Sequence, residues 1–308
     1  MKQIINPANE EAWLELRTKD ITSSEVAALF GISPYMTKFE LWHRKKDGKV
    51  VTIEKNADMV WGLRLQDSIA QGVAEDNNFV IRKMTEYIRD DELKIGSSFD
   101  FEICGEKKGI LEIKKVRGLI YKDQWLENDD GTVEAPPHIE IQVQHQLMVS
   151  GYEYAYIAAF VGENNVVVVR REQDIAVIEA IRKRVHEFWV SITDNKPPEP
   201  DFAQDAEFIS KLYGYAEIGK VLDASNDKEF TELAKEHKKF LEEEKAANSG
   251  KQSCKAKMLI KIGDAEKVLC DGFSITSGEC APTRIEAYDR EGYRMFRINW
   301  KKIKDKTK

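Results

Sequence analysis

The sequence predicts an α/β (α+β) fold, with a sheet-and-helix domain over residues 1–201 and a helical and β extension over residues 202–308. Three observations predict it. Apolar runs of strand length alternate with amphipathic helical stretches through the first two hundred or so residues. The cluster Pro197-Pro198-Glu199-Pro200-Asp201 then breaks the pattern. Beyond it the chain becomes strongly charged and helical before ending in short β-like runs. At 308 residues it can bury a sizeable core.

Glu10 to Thr18 reads as a short helix, with Trp13, Leu14 and Leu16 on its apolar side. Asp20 to Val26 opens a second helix that continues through Phe30. Thr22 and Glu25 stand at capping-box spacing, and Gly31 ends the run. Its start is either a well-capped end or an anion seat, in which the Ser23 and Ser24 hydroxyls, with Arg17 upstream, hold a phosphate. Ser33-Pro34-Tyr35 turns, and Thr37 to Lys46 forms a third helix on Phe39, Leu41 and Trp42. Its His43-Arg44-Lys45-Lys46 cluster reads as a solvated face or as a DNA contact. Ala57 to Asp76 is a longer helix whose Met59, Leu63, Gln66, Ile69, Ala70 and Val73 recur at three- and four-residue steps. Gln66 interrupts that apolar stripe. An unpaired buried amide costs roughly 1–3 kcal/mol, so it is either bonded to backbone in the core or aimed at a site.

Phe79 to Lys83 and Tyr87 to Arg89 read as strands. The stretch Ser97 to Lys115 then carries the chemistry. Successive side chains of a strand point to opposite faces, so Leu111 and Ile113 can enter a core while Glu112 and Lys114 project together from the other side. Gly105-Glu106-Lys107-Lys108-Gly109 has hairpin composition, which returns Asp100 to lie beside Glu112. Gly118 to Pro137 is a charged, glycine-containing loop beside this site, with a substrate-contacting or lid role. His138 to Gly151 is a helix, Tyr152 to Val161 and Val166 to Val169 are strands, and Ile175 to Ile192 is a long amphipathic helix closing at Asn195. In the extension, Asp227 to Lys261 suits a projecting helical hairpin that breaks near Asn248-Ser249-Gly250. Val268-Leu269-Cys270, Phe273-Ser274-Ile275 and Met295 to Ile298 follow as β-like runs, and Lys301-Lys302-Ile303-Lys304 as a basic end that is either solvated or in reach of DNA.

Composition narrows the function. With 33% charged residues and a net charge of −7, the chain does not coat nucleic acid by bulk charge, and a DNA contact needs a local basic surface. No apolar run reaches the ~18–20 residues of a membrane helix, and MKQIINPANEEAW lacks a signal-peptide core. Cys104, Cys254, Cys270 and Cys280 show no CxxC spacing, which suits reduced thiols in a cytosolic protein. The five histidines are scattered. A P-loop, a GxGxxG turn and a nucleophile elbow are all missing from the sequence.

Two carboxylates and an ammonium on a rigid sheet fit phosphodiester hydrolysis, which needs a cation on the phosphate and a group to orient water. Oxygen ligands suit Mg²⁺ or Mn²⁺. Asp100 and Glu112 are the candidate ligands, with the Ile113 backbone carbonyl a third. Lys114 is placed to orient the water or to stabilise developing charge.

Several stretches together resemble one family. They are Trp13-Leu14-Glu15-Leu16-Arg17 with Ile21 to Val26, Trp61-Gly62-Leu63-Arg64-Leu65-Gln66, Ser98-Phe99-Asp100, Leu111-Glu112-Ile113-Lys114, Gln142 to Leu147, and Phe188-Trp189 with the proline cluster. Over residues 10–201 the chain resembles the YqaJ group of phage recombination exonucleases, in the PD-(D/E)xK superfamily and related to phage lambda exonuclease. The resemblance implies a restriction-endonuclease-like core, a central mixed β-sheet flanked by helices. It also implies Mg²⁺-dependent 5′→3′ digestion of linear duplex DNA, with Mn²⁺ able to substitute, leaving 3′ overhangs for single-strand annealing. Carried over by position, Asp100 and Glu112 bind metal, Lys114 is catalytic, Gln144 lies near the nucleophilic water, and Arg17 and Ser24 anchor the DNA 5′-phosphate. Duplex ends, a single-strand annealing protein and a homo-oligomer such as a ring trimer are the implied partners, in the cytoplasm of a bacterial host and with a phage or prophage origin. Gln66 departs from the pattern, which has Glu there. At this metal-binding corner an amide keeps an acceptor oxygen but loses the charge, so three explanations stand: a natural variant that tolerates Gln, a Glu-to-Gln inactivation, or a DNA-end-binding recombination protein with weak or no catalysis. A restriction-type endonuclease on the same core is a separate reading.

Overall fold

Period-two alternation along one strand sets the architecture. A computed structural model describes residues 2–50, 56–162 and 164–279, and the chain divides into two compact units, Met1–Ile209 and Ser210–Lys308. The first unit runs β1 (Lys2–Ile5), α1 (Glu10–Lys19), β2 (Ile21–Thr22), a 3-10 helix (Val26–Phe30), α2 (Lys38–Asp47), α3 (Ala57–Asn77), β3 (Val80–Lys83), β4 (Tyr87–Asp90), β5 (Ile95–Ser97), β6 (Phe101–Cys104) and β7 (Gly109–Val116). It continues through α4 (Gly118–Gln124), β8 (Leu126–Glu127), β9 (Val133–Glu134), α5 (Pro137–Ser150), β10 (Tyr154–Val161), β11 (Asn165–Glu172) and α6 (Ile175–Thr193), and α7 (Ala206–Leu212) straddles the boundary.

The main sheet has the order β11-β10-β7-β6-β3. Strands β7 and β10 are parallel and the other pairs antiparallel, so the sheet is mixed. Both of its faces are covered. Leu111 and Ile113 of β7 pack with Ile69, Ala70 and Val73 of α3. Ile110 packs with Val143 and Leu147 of α5 in the larger core. Glu112, expected on an open face, is therefore buried beneath α5. The α3 stripe is buried only in its C-terminal half, because Met59 and Leu63 are exposed. A second sheet, β1-β4-β5-β2, joins β2 to β5 in parallel and sets Thr22 opposite Gly96.

Several expected elements take another form. Residues 20–30 hold no α-helix. The Ile21 N–H bonds to the Lys94 carbonyl at 2.9 Å, which keeps Ile21–Thr22 extended as a strand, and only Val26–Phe30 winds, as a 3-10 helix closed by Gly31 at φ 69°. One arm of the capping box still forms, with Glu25 Oε2 accepting from the Thr22 N–H at 3.0 Å. The stretch 118–137 is no bare loop. Buried Tyr121 and Trp125 stack within and after α4, and β8 and β9 pair as a small hairpin. Beyond the prolines, the first unit reaches Ile209 because Asp205 is fully buried, accepting a short hydrogen bond from Thr37 Oγ1 and another from the Asp201 N–H at 2.8 Å.

In the second unit, α8 (Lys228–Ile262) is one continuous 35-residue helix, where a hairpin was expected, and none of its residues is buried. Gly250 is tolerated within it at a cost of ~1 kcal/mol. Strands β12 (Lys267–Cys270) and β13 (Phe273–Thr276) make a hairpin turned at Gly272, φ 84°. The β-like run at Met295–Ile298, the basic end at Lys301–Lys304 and Cys280 lie outside the described residues. Cys104, Cys254 and Cys270 are free thiols. Among the described residues no helix is long and apolar enough to cross a membrane.

Candidate active site

The β6–β7 hairpin pairs Phe101 with Leu111 and Ile103 with Gly109, and Asp100 stands one residue before β6, level with Glu112. Asp100 Oδ2 accepts from the Ile113 N–H at 2.8 Å. The N–H and C=O of one strand residue leave on the same side, so the Ile113 carbonyl also faces the edge where β6 has ended and Asp100 begins. From α3, Gln66 Nε2 donates to Asp100 Oδ1 at 2.7 Å. Gln66 thus points into the site and is no backbone-bonded core amide.

Glu112 is enclosed by donors. Its Oε1 accepts from Lys114 Nζ at 2.7 Å and from Gln142 Nε2 at 2.6 Å, and its Oε2 accepts from Gln146 Nε2 at 2.7 Å. Lys114 also donates to Gln142 Oε1 at 3.1 Å. The electrostatics follow from the crowding. Loss of solvent, and then the neighbouring Glu112 carboxylate, push the Asp100 carboxyl up to about 7 despite Lys114 and the two hydrogen bonds. Burial pulls the Lys114 ammonium down, but Glu112 and Asp100 outweigh it and hold its pKa above the ordinary lysine value. The pair of acids carries more negative charge than one lysine balances.

Gln144 is a correction. Its Nε2 donates to the Glu172 carbonyl at 2.8 Å and its Oε1 accepts from the Asp174 N–H at 2.8 Å, so both ends of the amide are used at the β11–α6 junction, away from Glu112. The residues that reach Glu112 are Gln142 and Gln146, which share a face of α5 because they are four apart. Gln144, two residues from each, points about 200° around the helix. The period-3.6 rule, applied to the three glutamines, would have found the pair. Gln146 Oε1 is buried with no protein partner among the described residues.

Arg17 and Ser24 are brought together, with Arg17 Nη2 donating to Ser24 Oγ at 3.0 Å. Ser24 is exposed, and Arg17 lies over the Trp13 ring at 4.8 Å. The second sheet links this corner to the acids. Ser97 Oγ donates to Ser23 Oγ at 3.0 Å, and Trp13 Nε1 to Ser98 Oγ at 2.8 Å, two residues before Asp100. With no α-helix at 20–30, a phosphate here would meet a guanidinium and hydroxyls, without a helix dipole behind them. The His43–Lys46 cluster is tied down rather than free. Arg44 pairs with Glu40, Lys45 is buried against Glu25, and Lys46 donates to the Ile192 carbonyl at 3.1 Å.

Mixed sheet, helices on both faces, and Asp100, Glu112 and Lys114 gathered at the end of one hairpin define a PD-(D/E)xK-type core. Residues 12–153 match the model of the YqaJ-like viral recombinase domain. The chain is 31% identical over 221 residues to the uncharacterized protein YqaJ of Bacillus subtilis (strain 168), covering 70% of this chain and 67% of that one. It belongs to the YqaJ family. Among solved structures it is similar to the alkaline exonuclease LHK-Exo from Laribacter hongkongensis, at 20% identity and TM-score 0.49 over 66% of this chain and 99% of that one. The LHK-Exo complex with dAMP aligns at 18% identity and TM-score 0.50, over 66% and 97%. The second alignment supports the shared fold.

Proposed function

We propose that this chain is a divalent-metal-dependent 5′→3′ exonuclease that digests linear duplex DNA from its ends, leaving 3′ single strands for annealing-type recombination. The observation that carries the reading is the contact set of Asp100, Glu112 and Lys114, with Gln66 and Gln142 closing it. Family membership, and the description of similar structures as exonucleases, support it.

The donor set fits a hard cation. Among the described residues no three His, Cys, Asp or Glu side chains converge; the groups that would hold the cation are the Asp100 and Glu112 carboxylates and the Ile113 carbonyl, with water in the remaining positions as Mg²⁺ prefers. Burial, and then the Glu112 charge, raise the Asp100 pKa, and a cation held here would offset both. When bound, Mg²⁺ or Mn²⁺ polarises the phosphate and lowers the pKa of water. The chain's own groups do the positioning. Lys114, anchored between Glu112 and Gln142, faces the attacking water or the developing charge. Gln146 Oε1 offers a buried acceptor for an ordered water. Arg17 and the Ser24 hydroxyl, 3.0 Å apart, hold the 5′-phosphate of the strand being cut.

One observation favours a second reading, a protein that binds DNA ends with little catalysis. The Gln66 amide donates to Asp100 where a carboxylate would face the cation, and it occupies one Asp100 oxygen. A restriction-type endonuclease is the third. Digestion of linear, nicked and closed circular duplexes in Mg²⁺ or Mn²⁺ separates all three. The exonuclease consumes the linear form and spares the closed circle, the endonuclease linearises the circle, and the end-binding protein retains linear ends without releasing mononucleotides. An annealing protein and a homo-oligomeric ring complete the proposal.

A further inference from the structure

We propose that the buried Lys45–Glu25 ion pair is the positioning device of the terminal-phosphate seat, fixing Arg17 and Ser24 at the spacing of a single phosphate. This rests on the reading of Arg17 and Ser24 given above. Lys45 extends from α2 into the gap between α1 and the turn after β2, and its side chain is 4% exposed. Its ammonium donates to the Arg17 carbonyl at 2.6 Å and to Glu25 Oε1 and Oε2 at 3.0 and 2.8 Å. The first contact satisfies a carbonyl in the last turn of α1, where helical partners run out, and so sets the root of the Arg17 side chain. Glu25 carries the clamp to the other half of the seat. Its Oε2 also accepts from the Thr22 N–H at 3.0 Å and from Thr22 Oγ1 at 2.8 Å, closing the turn on which Ser24 lies. Thr22 Oγ1 and Ser24 Oγ are in turn 3.3 Å apart.

Three segments thus meet at one ammonium, and two of them carry the groups that would touch the phosphate. Stability is a weak account of such a pair, since apolar side chains of similar volume commonly replace buried ion pairs at no loss. Geometry is the stronger one. Glu25 also neutralises Lys45, so the positive charge offered at the surface of this corner is the Arg17 guanidinium beside the exposed Ser24 hydroxyl. Lys45 and Glu25 need not touch DNA. They set the distance between the groups that do.

Equilibrium binding of a labelled blunt duplex with either a 5′-phosphate or a 5′-hydroxyl, in Ca²⁺ to prevent turnover, tests this on the full chain. The variants are Arg17→Ala, Lys45→Met and the double change Glu25→Gln with Lys45→Met, which leaves no unpaired buried charge. The expected result is that Arg17→Ala removes the preference for the phosphate, and that both Lys45 variants weaken the phosphorylated duplex on the order of tenfold or more, as loss of one hydrogen bond to a charged group does, while the hydroxyl duplex binds as to the parent. If the Lys45 variants keep the preference while Arg17→Ala loses it, the positioning role is overturned and the seat stands. Equal weakening of both duplexes, or failure of both Lys45 variants to fold, overturns it in favour of plain structural support. Preference intact in Arg17→Ala overturns the seat reading itself.

Discussion

Asp100 sits between two donors of different origin, the Ile113 backbone N–H and the Gln66 amide. The first is built into the sheet; the second is a side-chain choice. Exchanging that amide for a carboxylate adds an anionic ligand beside two acids that already repel. Gln66→Glu is therefore expected to tighten Mn²⁺ binding, measured by titration calorimetry, on the order of tenfold, and to raise or preserve metal-dependent digestion. Unchanged Mn²⁺ affinity would mean that position 66 lies off the cation. Much of this site was legible in the sequence because a hairpin converts spacing into geometry. Asp100 and Glu112 are forced side by side by a short turn, and Glu112 and Lys114 share a face by period two. Gln66 was legible as a polar break in an apolar stripe. The role of Lys45 was not, because a lysine in a run of basic residues looks solvated until the fold shows it buried against Glu25.

At the scale of elements, α5 distributes its polar side chains by face. Gln142 and Gln146 address Glu112, whereas Gln144 ties α5 to the start of α6. Gln142→Ala is expected to lower cleavage by roughly 10²-fold or more through loss of the hold on Glu112 and Lys114, with little change in melting. Gln144→Ala should leave cleavage near the parental rate while costing about 1–3 kcal/mol in denaturant unfolding, because the Asp174 N–H and the Glu172 carbonyl lose their partner. The reverse pattern would restore Gln144 to the site. His145, between them, is fully buried, and neither ring nitrogen makes a full hydrogen bond among the described residues. Burial lowers its pKa from 6.5 to about 4, against small opposing pulls from the Ile21 backbone and Glu25. The folded state therefore binds this proton less readily than the unfolded chain does. Its contribution is fully present above pH 6.5 and is lost as the pH falls toward 4, by about 3 kcal/mol in all. His145→Leu should flatten that part of the acid limb of a stability–pH profile, and an unchanged limb would contradict it. The 3-10 helix at Val26–Phe30 is not legible in the sequence, because a capping-box spacing says nothing of the Ile21–Lys94 backbone bond that holds the preceding residues in a sheet.

Across the whole molecule, the first unit contains every residue of the proposed chemistry, and the described residues of the second include a long exposed helix followed by a hairpin. The fold class and the strand–helix order were readable because both rest on hydrophobic period, which local sequence carries. The continuity of α8 was harder to read, since Asn248-Ser249-Gly250 resembles a turn in composition and yields to the helix formers on either side. The proposed activity requires that Glu112 and its neighbours hold a working metal centre. The most direct measurement is mononucleotide release from a 5′-phosphorylated linear duplex as Mg²⁺ is titrated, for the parent chain and for Glu112→Gln. Release from the parent is expected to rise and saturate with Mg²⁺, with a loss on the order of 10²–10³-fold in the variant. Release by Glu112→Gln at the parental rate, or no release by the parent in Mg²⁺ or Mn²⁺ while it still binds duplex ends, would exclude a catalytic metal centre at Glu112.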